Sequence, residues 1–259
     1  MEPRDFSTIG PSARMLLVMR AQSDLPFARQ SAELLLGAER VAQDIARLAE
    51  LAGSALRLRH FVARYRSIDT LLAESGAIRV LELGGGLSLR GLAWAERNAG
   101  TYLDTDLPDM VRTKQQLMDA LAVGPLVGEL RLAALNALDA DAFRASVATL
   151  PAGPIAIVNE GLLMYLDDAE KQQLATNIRD ALSARGGVWI TADIYVQGER
   201  SARIERSERE REFLAAHRVE ENKFASLTAA ESFFTGAGFT IVRRLPSDVT
   251  RESWVVEAR

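Results

Sequence analysis

From Ser12 to about Glu74 the apolar positions recur at helical spacing: Met15, Leu16, Leu17 and Met19, then Ala32, Leu35 and Leu36, then Ile45, Leu48 and Leu51. Phe61, Tyr65, Ile68, Leu71 and Leu72 continue the stripe, with Arg57, Arg59, Arg64 and Arg66 interspersed. The pattern predicts an N-terminal helical layer over residues 1–75. At Ala77 the period changes. The short apolar run Ala77 to Leu83 ends in Gly84-Gly85-Gly86, which reads as a buried parallel strand followed by a tight turn.

Helix and strand patterns then alternate. Leu87–Asn98 has helical spacing and Thr101–Asp106 reads as a strand closed by Pro108. Pro108–Leu121 is helical, Leu130–Leu135 a strand, Asp139–Leu150 helical, Ile155–Asn159 a strand, Asp168–Ser183 helical and Val188–Ala192 a strand. Such alternation predicts an α/β fold with a mostly parallel sheet, helices on both faces and right-handed crossovers. Ala229–Thr235 adds a helix, and Phe239–Leu245 with Ser253–Glu257 read as two strands joined by a short polar loop. They predict an antiparallel C-terminal hairpin that closes a seven-stranded sheet. Gln197–Lys223 reads as a highly charged helix, a solvated cap or lid inserted in a core domain of residues 76–259.

Four places carry candidate chemistry. In Glu82-Leu83-Gly84-Gly85-Gly86 a strand must turn sharply into a helix while its backbone approaches a ligand, and glycine, without a Cβ, permits both. In open α/β sheets this carboxyl edge is where ligands bind. Leu89 stands where a dinucleotide fingerprint needs its third glycine, and a plain turn is the alternative. Asp104 and Asp106 end the next strand about 20 residues later, the distance at which a carboxylate grips ribose hydroxyls, although strand-end acids also serve turns and caps. After the third strand, Asn136 to Asp139 is placed where an amide or carboxylate could read an adenine edge, with Asn136 the better candidate, whereas Asp139 reads at least as well as a helix N-cap. Glu160 ends the fourth strand, with Tyr165 five residues on. A buried carboxylate there needs a cation, supplied either by a ligand or by a helix arginine.

Composition narrows the chemistry. The chain has 259 residues, 48% hydrophobic and 25% charged, enough for one sizeable core. A net charge of -4 argues against nucleic acid as a partner. There is no cysteine and there are only His60 and His217, so no metal site is expected and catalysis must rest on oxygens, arginines and backbone. The start carries no basic, apolar leader and no run approaches the length that spans a bilayer, so a cytoplasmic protein with a small-molecule partner is expected.

These segments resemble the leucine carboxyl methyltransferase family, in particular the bacterial branch that includes tetracenomycin-type polyketide methyltransferases. Val80-Leu81-Glu82-Leu83-Gly84-Gly85-Gly86 through Arg90 is similar to the family's glycine motif, Asp104-Thr105-Asp106-Leu107-Pro108 to its acidic motif, and Glu160-Gly161-Leu162-Leu163-Met164-Tyr165-Leu166 to its most specific one. The resemblance implies a Rossmann-like class I methyltransferase sheet, S-adenosylmethionine as cofactor, and oxygen, often a carboxylate, as acceptor. It implies that Asp106, with Asp104 beside it, holds the ribose, that Asn136 and Ala137 border adenine, and that Glu160 lines the methionine moiety. Arg64 then contacts the methionine carboxylate or the acceptor. With Tyr165 it would steer the acceptor. Ser88 and Asn136 depart from the family, which usually has aspartate at both places. Two other classes share some features: a nicotinamide-dependent oxidoreductase, disfavoured by the missing third glycine, and a non-catalytic nucleoside-binding protein on the same fold.

Overall fold

The computed structural model describes residues 10–121, 123–198, 206–246 and 251–259. The N-terminal layer is four helices: α1 (Gly10–Arg20), α2 (Ala28–Leu36), α3 (Ala38–Glu50) and α4 (Ser54–Ser75). Gly37 alone separates α2 from α3, at φ 85°, a conformation that other residues adopt only at a cost. Leu17, Ala21, Ala32 and Val41 bury their side chains where α1, α2 and α3 meet.

The alternating region follows as β1 (Arg79–Leu83), α5 (Arg90–Ala95), β2 (Thr101–Asp106), α6 (Pro108–Leu121), β3 (Glu129–Ala134), α7 (Ala140–Thr149), β4 (Ile155–Asn159), α8 (Asp168–Arg185) and β5 (Gly187–Tyr195). Helices α9 (Glu208–Ala216) and α10 (Leu227–Gly236) precede β6 (Phe239–Pro246) and β7 (Arg251–Ala258). The seven strands lie in the order β3-β2-β1-β4-β5-β7-β6. The first five are mutually parallel, and β7 runs antiparallel to both β5 and β6, so the chain has the expected mixed sheet and closing hairpin.

Both faces of the sheet are covered, as strands buried on both sides require. On one face Ile68, Leu71 and Leu72 of α4 pack on Val80, Tyr102, Ala156 and Ile190. On the other, Leu174 and Ile178 of α8 join Leu81, Ile157, Trp189 and Trp254. The N-terminal end of α8 is fixed by a reciprocal cap in which Asp167 accepts from Glu170 N and Glu170 accepts from Asp167 N. The strand order reverses between β1 and β4, which opens a crevice at their carboxyl ends.

Besides α5, which covers only Arg90–Ala95 of the expected Leu87–Asn98, two elements differ from the sequence expectation. Strand β5 runs on to Tyr195, because β7 pairs with it as far as Arg251 opposite Tyr195. The charged stretch is not one long helix. Within it α9 covers only Glu208–Ala216, capped by Ser207, whose hydroxyl accepts from Glu210 N. It ends at His217, after which Arg218 takes φ 51° and turns the chain back to pair Phe224 with Val196. Residues 199–205 of that stretch lie outside the described residues. No described helix is long and apolar enough to cross a membrane.

Candidate active site

The glycine turn after β1 is shaped from below. Gly84 and Gly86 take φ 62° and 55°. Gly85 is excluded from other identities by space: a Cβ there would lie 2.4 Å from Asp104 Oδ1 and 2.8 Å from Lys114 Nζ. Asp104 is buried, and both its oxygens accept from Lys114 Nζ, at 2.7 and 2.6 Å. Burial pushes its carboxyl above the usual range, with Lys114 opposing. This corrects the expectation for Asp104, which is not on the crevice wall but props the turn. Its Cα partner is Glu82, inside the sheet, whereas β2 runs past the last β1 pairing at Thr105 and carries Asp106 beyond it. Asp106 accepts from Gly86 N and Leu107 N, each at 2.7 Å, so backbone donors fix the orientation of its carboxylate at the cavity wall.

Asn136 and Ala137 also line the cavity. Asn136 Oδ1 accepts from Leu138 N at 3.1 Å, which leaves its side-chain amide N–H groups to a ligand. Asp139 takes the capping role, accepting from Asp141 N and Ala142 N.

Glu160 is the hub of the site. Its Oε1 accepts from Arg20 of α1 and from Arg64 of α4, the latter at 2.7 Å, and its Oε2 accepts from Arg90 of α5 at 2.5 Å. Burial by itself would raise the carboxyl, but the three guanidiniums outweigh it and hold Glu160 below the ordinary carboxylate range. Arg90 also donates to Glu82 Oε1 at 2.7 Å, and Tyr102 donates to Glu82 Oε2 at 2.9 Å. The helix-arginine alternative for Glu160 therefore holds, with three arginines rather than one.

Beyond Glu160 the wall is α4 and β5. Arg64 Nη1 donates to Tyr195 Oη at 3.1 Å, and His60 Nε2 lies 3.0 Å from the same oxygen. Tyr195 satisfies both when its O–H donates to His60 Nε2 and the ring proton stays on Nδ1. Burial, with Arg64 and Arg251 nearby, lowers His60 to about 3, so the imidazole is neutral at pH 7. Tyr165 lies on the same cavity, edge-on to Phe213 and His217. The loop that carries Glu160 is pinned by Asp193, whose carboxylate accepts from Gly161 N at 2.6 Å, Leu162 N at 2.7 Å and Leu163 N at 3.1 Å.

The model of the leucine carboxyl methyltransferase family matches residues 17–179. The chain belongs to that family. S-adenosylmethionine is accordingly its cofactor. Among curated protein sequences none matches. Of solved structures, a DUF574 family protein from Streptomyces avermitilis is 15% identical and aligns over 96% of this chain and 97% of its own, with a TM-score of 0.59. The mitomycin 7-O-methyltransferase MmcR is 16% identical over 94% of this chain and 60% of its own, with a TM-score of 0.51. LepI, solved with S-adenosylmethionine, is 15% identical at a TM-score of 0.49, and this chain spans only 43% of its length. At these identities the first two structures support the class I methyltransferase fold and nothing finer.

The residues of this family member fit the cofactor. Asp106 offers a fixed carboxylate to a ribose diol, and the glycine turn leaves the backbone bare beside it. Arg20 Nε is buried without a partner, and Arg64 Nη2 has none among the described residues, which leaves donors for an amino-acid carboxylate. Sequence reasoning missed Arg20, Arg90, Lys114, Asp193 and Tyr195. Only Arg90 left a signal, at the end of the glycine motif. The others come from α1, α6 and β5 and meet the site through the tertiary fold.

Proposed function

We propose that the chain is an O-methyltransferase acting on a carboxylate of a small molecule, for which polyketide-type acids are the first compounds to screen. The carrying observation is the cavity itself. At about 1850 Å³ it exceeds the roughly 300–1,000 Å³ of ordinary ligand sites and runs from the glycine turn past Glu160 to α4 and α9. That leaves space for an acceptor beside the cofactor, which a non-catalytic nucleoside binder does not need.

The bound cofactor supplies an electrophilic methyl group on a sulfonium. Asp106, Asn136 and Ala137 hold its nucleoside end in this reading, and Arg20 its carboxylate. Arg64 Nη2 and Tyr165 orient the acceptor oxygen, and alignment of the reacting atoms is worth about 7–11 kcal/mol. A carboxylate acceptor is ionised at pH 7 and needs no base. The wall agrees, since its histidine, His60, is a weak base held against Tyr195. A phenolic or enolic hydroxyl is the second reading, favoured by the same His60–Tyr195 contact, through which a proton would have to leave.

Calorimetric titration with S-adenosylmethionine and S-adenosylhomocysteine, wild type against Asp106→Ala, tests the cofactor assignment. Micromolar binding weakened at least tenfold in the variant supports it, whereas equal binding moves the ribose contact elsewhere. A screen of carboxylic and phenolic acceptors then decides between the two oxygens.

A further inference from the structure

The far end of the cavity is cationic although the chain as a whole carries -4. Arg40 and Arg47 of α3 and Arg206, Arg209, Arg211 and Arg218 around α9 line it, against Asp44, Glu210 and Glu221. Lys223 and Glu220, also on the wall, pair with one another. Asp44 is shared by Arg40 and Arg47, and Glu210 by Arg57 and Arg206, so each acid leaves a cation in excess. Arg209 and Arg211 have no acidic partner among the described residues.

Arg57 marks the inner edge of this region. It is buried, its Nη2 donates to Glu210 Oε1 at 2.6 Å, and its Nη1 has no partner among the described residues. A buried N–H left without an acceptor is costly, and a ligand anion would offset that cost. On α4, Arg57, His60, Phe61 and Arg64 fall at i, i+3, i+4 and i+7 and all line the cavity, so one helix face presents a cation, two rings and a second cation. Arg57 and Arg64 are two turns apart, about 10 Å along the axis. Leu48, Leu51, Leu56 and Leu214 make the intervening wall apolar.

We propose that the acceptor is an elongated amphipathic molecule whose methylated end lies at Arg64 and whose remote end, about 10 Å away across an apolar spacer, carries an anionic group received by Arg57, Arg209 and Arg211. This rests on the methyltransferase reading of the same cavity. It adds a selectivity: one end of a dianion is methylated and the other is held.

The test uses the S-adenosylhomocysteine-loaded protein and three ten-carbon probes: decanedioic acid, its monoamide, and the ω-phosphate of the corresponding hydroxy acid. Calorimetry reads binding whether or not a methyl is transferred. The expected result is that the diacid or the phosphate binds at least tenfold tighter than the monoamide, with the difference collapsing to near onefold in Arg57→Met. The tenfold corresponds to about 1.4 kcal/mol, the low end for a hydrogen bond to a charged group. Which of the two anions is preferred says whether the site reads a carboxylate or a phosphate. If Arg57→Met does not fold, the double variant Arg209→Gln with Arg211→Gln replaces it, and at least a threefold loss of discrimination is expected. Equal binding of the three probes, or no binding of any dianion, overturns the remote-anion site. Methylation of monoacids without discrimination would overturn it too, while leaving the O-methyltransferase assignment standing.

Discussion

Arg90 Nη2 donates to Glu160 Oε2 at 2.5 Å, while the same guanidinium's Nη1 donates to Glu82 Oε1, so one side chain joins the ends of two adjacent parallel strands. All three side chains are almost fully withdrawn from water. A buried ion network is of uncertain net benefit when intact, but breaking it leaves uncompensated charge.

Glu160→Gln therefore strands the charges of Arg20 and Arg64, whereas Arg90 keeps Glu82 and Asp69. Stability falls by about 3–5 kcal/mol, read as a lower urea midpoint at unchanged slope. A loss below about 1 kcal/mol would mean that water reaches these guanidiniums in the folded protein.

Acid sensitivity follows with a definite sign. Glu160 has a depressed carboxyl in the fold, so its stabilisation is present above its ordinary value of 4.5 and is lost as pH falls below that. His60 is a base lowered from 6.5 to about 3, so between those values the unfolded chain holds more protons and stability again falls with pH. At its steepest this part amounts to about 1.4 kcal/mol per pH unit. The check is chemical denaturation at pH 7, 5.5 and 4: His60→Phe should flatten the decline between pH 6.5 and 4.5, and an unchanged slope would place the His60 imidazole in water.

If the acceptor is a carboxylate, kcat/KM is flat between about pH 6 and 9, because no titrating group is required on the wall. A steep rise with pH would instead assign a hydroxyl acceptor.

Gly85→Ala pushes a methyl group into the Asp104–Lys114 pair. Overpacking of this kind costs about 1–3 kcal/mol, and the displaced turn should weaken S-adenosylhomocysteine binding in the same variant. Binding that survives intact would mean that Asp104 and Lys114 can move aside.

Helix α9 has no fully buried residue and is held to the body by Phe213 against Tyr165 and by Arg57 with Glu210. Phe213→Ala should raise the acceptor KM several-fold with little change in cofactor affinity or melting temperature. An unchanged KM would remove α9 from the acceptor site.

Much of this was legible along the chain. The period change at Ala77 and the alternation after it give the parallel sheet, because burial on both faces leaves runs such as Ile155-Ala156-Ile157-Val158 without polar positions. The glycine turn and the Glu160 loop were visible for the same local reason: few residue types satisfy a sharp turn or end a buried strand with a charge. The extent of the charged helix was not, since it depends on the cap at Ser207 and the left-handed Arg218.

The division between Asp104 and Asp106 shows where local pattern stops. Two residues apart on one strand, they share a side of the sheet, and no periodicity separates them. The register with β1 does, by placing Asp104 opposite Glu82 and leaving Asp106 past the last β1 pairing. Likewise Glu160 by itself announces that it needs a cation, but its partners lie 140, 96 and 70 residues away. The sequence by itself determined the mostly parallel sheet, its glycine turn and the need for charge compensation. Only the packing of α1, α4 and α5 around one strand end decided which arginines meet that need, because a long-range ion pair is chosen by where helices dock and leaves no period in the chain.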